Sequence, residues 1–241
     1  MHTLLIYFLI LKSPLDSLLE ASIKRIEYGE KNLNYDSLLS AYKEIKYIAS
    51  TRGTYLDFYF LSFSIYKLYT LRFKEFAKEE YIDTAIYFLE KANKLNPHFS
   101  DGNALLASLY GMKAKGFFKG MIYGRKSNIF FKKAKEIDSL NPRVYYLEGI
   151  SFLHTPPQFG GGNKKAISNF KKAIRLFEEG KGNIGLIRWG YLECMMLLGI
   201  AYEKTDSIEK AEKIYKRVLE IDPEYGWAKS KLYNLQKKKD D

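Results

Sequence analysis

The 241-residue chain contains one cysteine, three histidines and two glutamines. A single cysteine, Cys194, cannot close an internal disulfide, so a disulfide-stapled scaffold is excluded. It sits in the apolar run from Leu192 to Ala201, and a buried, inert thiol is expected. His2, His98 and His154 lie far apart and match no metal-ligand spacing, so neither metal nor cofactor is expected. No Ser-His-Asp set has usable spacing, and G-x-S-x-G is absent. Paired carboxylates such as Glu79-Glu80 and Glu178-Glu179 are neighbours on a helix, where adjacent side chains do not face each other. They read as solvated charges, and the expectation is a protein that is not an enzyme.

Long hydrophobic runs are also missing. The stretch Leu4–Leu11, LLIYFLIL, is far below the ~20 residues a spanning helix needs. It has the length of a signal-peptide core, yet no Lys or Arg precedes it and no A-x-A-like site follows. Residues 1–12 therefore carry two readings, a signal sequence or an N-terminal cap, with export to the periplasm favoured over a cytoplasmic location. Strand-like alternation is absent as well, and no linker divides the chain.

What is abundant is lysine, tyrosine and helical periodicity. The formal charge is +11, from 39 Lys and Arg against 28 Asp and Glu. The lysines are spread along the chain and no basic stretch resembles a strand-tracking groove, so nucleic acid and anionic surfaces are disfavoured partners. Pairs such as Lys132-Lys133 and Lys171-Lys172 read as solvated faces.

Repeats organise the rest. Leu95-Asn-Pro-His-Phe99, Leu140-Asn-Pro-Arg-Val144 and Ile221-Asp-Pro-Glu-Tyr225 share one phrase. Each reads as a helix–helix corner, with proline in the first turn of the next helix, where its missing N–H costs nothing. Upstream lies a small–large–small pattern at offsets 0, 4 and 7: Ala85, Leu89, Ala92; Ser127, Phe131, Ala134; Ala166, Phe170, Ala173; Ala211, Tyr215, Val218. Those offsets share one helix face, the small residues admitting a second helix and the large ring filling the gap beside it.

The last copy, Leu198-Gly-Ile-Ala-Tyr202 followed by Ala211, Tyr215 and Pro223, resembles the tetratricopeptide (TPR) consensus, and Leu192 to Tyr225 has its 34-residue length. The first small residues stand 42, 39 and 45 apart, so the other units are elongated; Gly116–Gly124 is one insertion. The resemblance implies an all-α, right-handed solenoid of antiparallel helix pairs without a sheet. It divides the chain into residues 13–53 as a first helix pair, 54–225 as TPR-like repeats, and 226–241 as a capping helix with a basic tail. It further implies a concave groove for a protein or peptide partner, lined by first-helix positions Ser108, Met112, Arg143, Tyr146, Ile150, Met196, Ile200 and Glu203. Arg143 and Tyr146 are the expected anchors, while Met196 and Ile200 could equally be inter-repeat core.

One segment stands out, His154–Ala166, HTPPQFGGGNKKA. A Walker loop would need Lys and then Ser or Thr directly after its last glycine, and Asn163 follows Gly162 instead. The reading is an enlarged turn: Pro156 and Pro157 stop one helix, Phe159 plugs the corner, and Gly160, Gly161 and Gly162 supply positive φ. Asn163 is expected to cap the next helix, whose free N–H groups, with Lys164 and Lys165, form a weaker candidate for an anion site. This proline pair, aromatic and glycine run also resembles exported bacterial TPR-like proteins distantly related to the TPR component of tripartite (TRAP-type) transporters. That likeness implies a periplasmic binding component holding an apolar small ligand or a solute-binding partner.

Overall fold

The structure, a computed structural model, describes residues 13–240, with side chains through Lys237; the signal-sequence reading of residues 1–12 lies outside it. The described residues form α1 (Pro14–Lys31), α2 (Tyr35–Thr51), α3 (Tyr55–Thr70), α4 (Glu79–Leu95), α5 (Ser100–Lys113) and α6 (Phe117–Ile137). There follow α7 (Pro142–His154), α8 (Asn163–Glu178), α9 (Tyr191–Glu203), α10 (Ile208–Ile221) and α11 (Gly226–Asp240). Among them is no strand, only one isolated bridge between Ile184 and Ile187. Each helix packs on its successor, and α5 also meets α7 across the inner side. The fold is an all-α solenoid of antiparallel helix pairs.

Local chemistry sets where the helices begin. Ser13 accepts from the Asp16 N–H while Asp16 accepts from the Ser13 N–H, and Pro14 occupies the first helical position of α1. Thr54 and Asp57 build the same reciprocal cap on α3. Asn34 caps α2 through the Ser37 N–H.

All twelve residues of the small–large–small pattern are buried. The first helix of each later pair complements them with small residues of its own. A Cβ on Gly149 would lie 2.6 Å from the Phe170 ring, and one on Gly199 would lie 2.3 Å from Tyr215. In an exposed helix interior, glycine to alanine gains up to about 1 kcal/mol. At Gly199 the methyl instead displaces a fully buried ring, and Gly199→Ala is expected to lower stability by about 1–3 kcal/mol, read as a reduced urea midpoint at unchanged slope.

The corner phrase needs correction. Its copies at 95 and 221 are structurally equivalent, but the copy at 140 is not. The true equivalents are Asn96, Asp138 and Asp222, which end α4, α6 and α10 with nearly the same extended backbone, φ −135°, −148° and −136°. Each stands eleven residues after the first small residue of its helix, so the packing face sets the register and the Leu-Asn-Pro text does not. Of the three corner prolines Pro142 alone begins a helix, capped by Asn141; Pro97 and Pro223 lie in the turns before α5 and α11.

Candidate functional site

The inner side of the solenoid is occupied by the chain itself. The segment from Glu179 to Gly190, between α8 and α9, turns inward and buries Ile187 and Trp189. The Trp189 ring stacks on Phe63 of α3 at 4.6 Å and meets Tyr146 of α7 edge-on at 6.0 Å. Its indole N–H donates to the Tyr59 hydroxyl at 3.0 Å. Glycines make the path: Gly190 holds φ +109°, and a Cβ on Gly182 would lie 2.4 Å from Phe177.

Arg143 ties this segment to the repeats. Its side chain is 0% exposed, forms an ion pair with the buried Asp101 of α5, and donates from Nη1 to the Gly182 carbonyl at 2.6 Å. A longer contact reaches the Trp189 carbonyl at 3.4 Å, and the guanidinium lies 5.8 Å from the Trp189 ring centre. The planar fork of arginine suits this task of bonding a carboxylate and a carbonyl together.

Beside Trp189 the inner side opens into a cleft of about 230 Å³, where α1 faces residues 186–193 and the α10–α11 corner. Phe63, Trp189, Tyr225 and Ile26 form apolar walls, and Glu27, Glu30 and Glu193 bring carboxylates. The two ends of the array meet here, through Lys31 of α1 and Asp222 after α10, 2.7 Å apart. The buried Lys67 ammonium pairs with Glu30 and lies 3.5 Å from Glu193. Burial alone would lower its pKa, but Glu30 and Glu193 overcome this and the net shift is upward. Burial pushes Glu30 up to about 7, with Lys67 opposing and Glu193 reinforcing. Glu27 is raised too, by burial and then Glu193, against Lys24 and Arg188.

The expected groove residues are thus distributed differently from an open furrow. Ser108, Arg143, Tyr146 and Met196 are buried, and Arg143 and Tyr146 are therefore not exposed anchors: the inward segment covers them. Met112, Ile150, Ile200 and Glu203 are partly exposed, and Glu203 already accepts from Tyr215 and Lys231. None of the eight lines the cleft. The cleft's own residues come from α1, α3, an aperiodic segment, the start of α9 and the α10–α11 corner, and the one sequence signal for them was Trp189 standing in a glycine-rich connection.

The glycine-rich loop is a compact turn. Pro156 precedes a short 3-10 turn, Pro157–Phe159, and Gly160 and Gly162 hold φ +86° and +110°. A Cβ on Gly161 would lie 2.0 Å from the Thr155 carbonyl. The N–H groups of Gly160, Gly161 and Gly162 donate to the carbonyls of Pro157, Pro156 and Phe152, so the loop's own donors are consumed. Lys165 donates to the Gly160 carbonyl at 2.8 Å, while Lys164 is exposed. Three expectations fail here. Gly161, unlike Gly160 and Gly162, does not hold a positive φ. Phe159 is 68% exposed and plugs nothing, because Pro157 takes the place beside Gly162. Gly162 occupies the cap position, and Asn163 is already the first residue of α8, its amide reaching the Lys204 carbonyl at 3.5 Å. Cys194 is buried, and burial pushes its thiol well up, in keeping with an inert core residue.

Helix pairs stacked on small–large–small faces define a TPR-like helical-repeat protein. Residues 192–225 match the tetratricopeptide repeat family model. The crystal structure of TTC0263, a thermophilic TPR protein in Thermus thermophilus, is similar with a TM-score of 0.69 at 15% identity, covering 92% of this chain and 98% of that one. The HusA haemophore from Porphyromonas gingivalis is similar with a TM-score of 0.62 at 20% identity, covering 80% of this chain and 95% of that one. Both likenesses are of fold. A comparison with curated proteins finds no match. No helix among the described residues is long and apolar enough to cross a membrane.

Proposed function

We propose that this chain is a non-catalytic helical-repeat scaffold that binds a protein partner through a peptide segment, seating a Lys or Arg side chain of that segment in the cleft. The observation that carries the reading is the pairing of aromatic walls with three carboxylates, two of which, Glu30 and Glu193, surround one buried ammonium. Phe63, Trp189 and Tyr225 favour the apolar stem of a long basic side chain, and Glu27 and Glu193 favour its charged head. The concave side is already filled by residues 179–190, so the partner does not run along the whole groove.

Protonation supplies the test. Between pH 4.5 and about 7, Glu30 holds its proton in the folded chain and loses it in the unfolded one, so raising pH through that window removes stability. A cation entering the cleft favours the ionised carboxylate, so affinity for it rises over the same window. With a fluorescent peptide carrying a central lysine between aliphatic residues, polarisation should show tighter binding at about pH 7.5 than at about pH 5.5. Norleucine in place of that lysine, or Glu27→Lys in the protein, should each weaken binding by about tenfold. A partner captured from the host that binds Glu27→Lys as well as the native chain would reject the cleft. The aromatic walls also suit an apolar small ligand of an exported transport component, and the same assay separates the readings: such a ligand gains nothing from a positive charge.

A further inference from the structure

The insertion that opens α6 remains unexplained by packing or by the cleft. Phe117 and Phe118 are 67% and 76% exposed, and Met121 and Ile122 are exposed beside them. At about 100° per residue, these four fall within an arc of about 140°. The buried face of the same helix, carrying Ser127, Phe131 and Ala134, is centred about 140° away. An apolar face turned outward and away from the core is not a solenoid requirement. The helix starts at Gly116, with φ +72° and open space around it, so the two phenylalanines stand at the free end of the unit.

Charge surrounds this face. Between Met112 and Lys135 the chain has eight Lys or Arg and no Asp or Glu, so the lysines, evenly spread in the sequence as a whole, concentrate here. Acidic groups facing this region come mainly from α4: Glu79 pairs with Lys119 at 2.9 Å, Asp83 pairs with Lys113, and Glu90 accepts from Tyr110. Farther along, Glu136 lies 3.8 Å from Lys132 and Glu148 of α7 pairs with Lys135 at 2.6 Å. Lys126 rests over the rings of Tyr110 and Tyr123. Lys115, Arg125 and Lys133 are exposed and have no carboxylate partner among the described residues; Lys115 reaches only the Tyr69 hydroxyl, at 3.4 Å.

We infer that the first turns of α6 dock the protein on an anionic lipid bilayer, with Phe117, Phe118, Met121 and Ile122 entering the headgroup boundary while Lys115, Arg125 and Lys133 face lipid phosphates. Aromatic and aliphatic tips flanked by basic groups that have no carboxylate partner, as Lys115, Arg125 and Lys133 are here, are the chemistry of an interfacial helix. Basic residues close to an anionic surface add attraction that salt screens. The placement is independent of the cleft, so a scaffold held this way would present its partner site near a membrane without a spanning helix.

The full chain would be sedimented with vesicles of phosphatidylcholine alone and of phosphatidylcholine mixed with phosphatidylglycerol. Binding is expected to the mixed vesicles only, and to weaken with salt. Phe117→Ser/Phe118→Ser should reduce partition by at least about tenfold. Arg125→Glu should reduce it by about fivefold or more. Both sets of residues are exposed, so unchanged thermal unfolding should accompany the loss. Equal binding to neutral vesicles overturns the inference, as does full binding by the double serine variant, which would move attachment elsewhere in the chain. A native dimer that the double serine variant converts to monomer, with no vesicle binding by either, assigns the face to a second copy. Binding of duplex DNA that the serine variant retains, without vesicle binding, marks a patch that reads charge alone.

Discussion

Arg143→Met is expected to lower the unfolding free energy by about 3–5 kcal/mol, because it leaves the Asp101 carboxylate buried without its cation. The same change releases the Gly182 and Trp189 carbonyls, which lose their donor to the inward segment. Urea unfolding followed by circular dichroism would measure the loss. Adding Asp101→Leu should recover a large part of it, since two apolar groups of suitable size can replace a buried ion pair with little penalty. Arg143→Lys should not rescue the fold, because an ammonium cannot span Asp101 and Gly182 with a planar fork. A loss below about 1 kcal/mol for Arg143→Met would mean that Asp101 reaches solvent or another partner, and the inward segment would then need a different anchor.

The pair also shows what was readable beforehand. Asp101 and Arg143 are both the second residue of their helices, α5 and α7, and they stand one repeat spacing apart. Their meeting was thus implicit in the periodicity once the units were aligned on Ala85 and Ser127. Aligning on Leu-Asn-Pro hid it, because that phrase at 140 is three residues out of step. The solenoid itself was legible because its information is local: a small residue, a ring and another small residue on one face dictate how two helices approach. The filling of the inner side was not legible in that way. Trp189, Lys67 and Glu30 come together from widely separated units, and no period links them. Arg143 and Tyr146 were placed correctly on first helices, yet their accessibility depended on a connection whose path periodicity does not encode. The glycine loop had the reverse character: its turn chemistry was explicit in Gly160 and Gly162, while the fate of Phe159 depended on which proline filled the corner.

Trp189→Ala tests whether that inward connection is a structural part of the solenoid. The indole is buried, stacked on Phe63 and bonded through its N–H to Tyr59, so its removal should cost about 3–5 kcal/mol. The repeats keep their own small–large–small contacts, so helix content should be retained while residues 179–190 lose amide protection against hydrogen exchange. Release of the segment uncovers Tyr59, Phe63 and Tyr146, and binding of a hydrophobic dye should rise. Glu30 and Lys67 would then see more solvent, relieving the burial that pushes Glu30 up and relaxing its upward shift. The cleft would lose one wall and part of its charge arrangement together, so a basic peptide that binds the native chain should bind Trp189→Ala more weakly and with a flatter pH profile. Full affinity in a variant whose segment has demonstrably opened would place peptide recognition elsewhere on the solenoid, because the cleft as described exists only while Trp189 closes it.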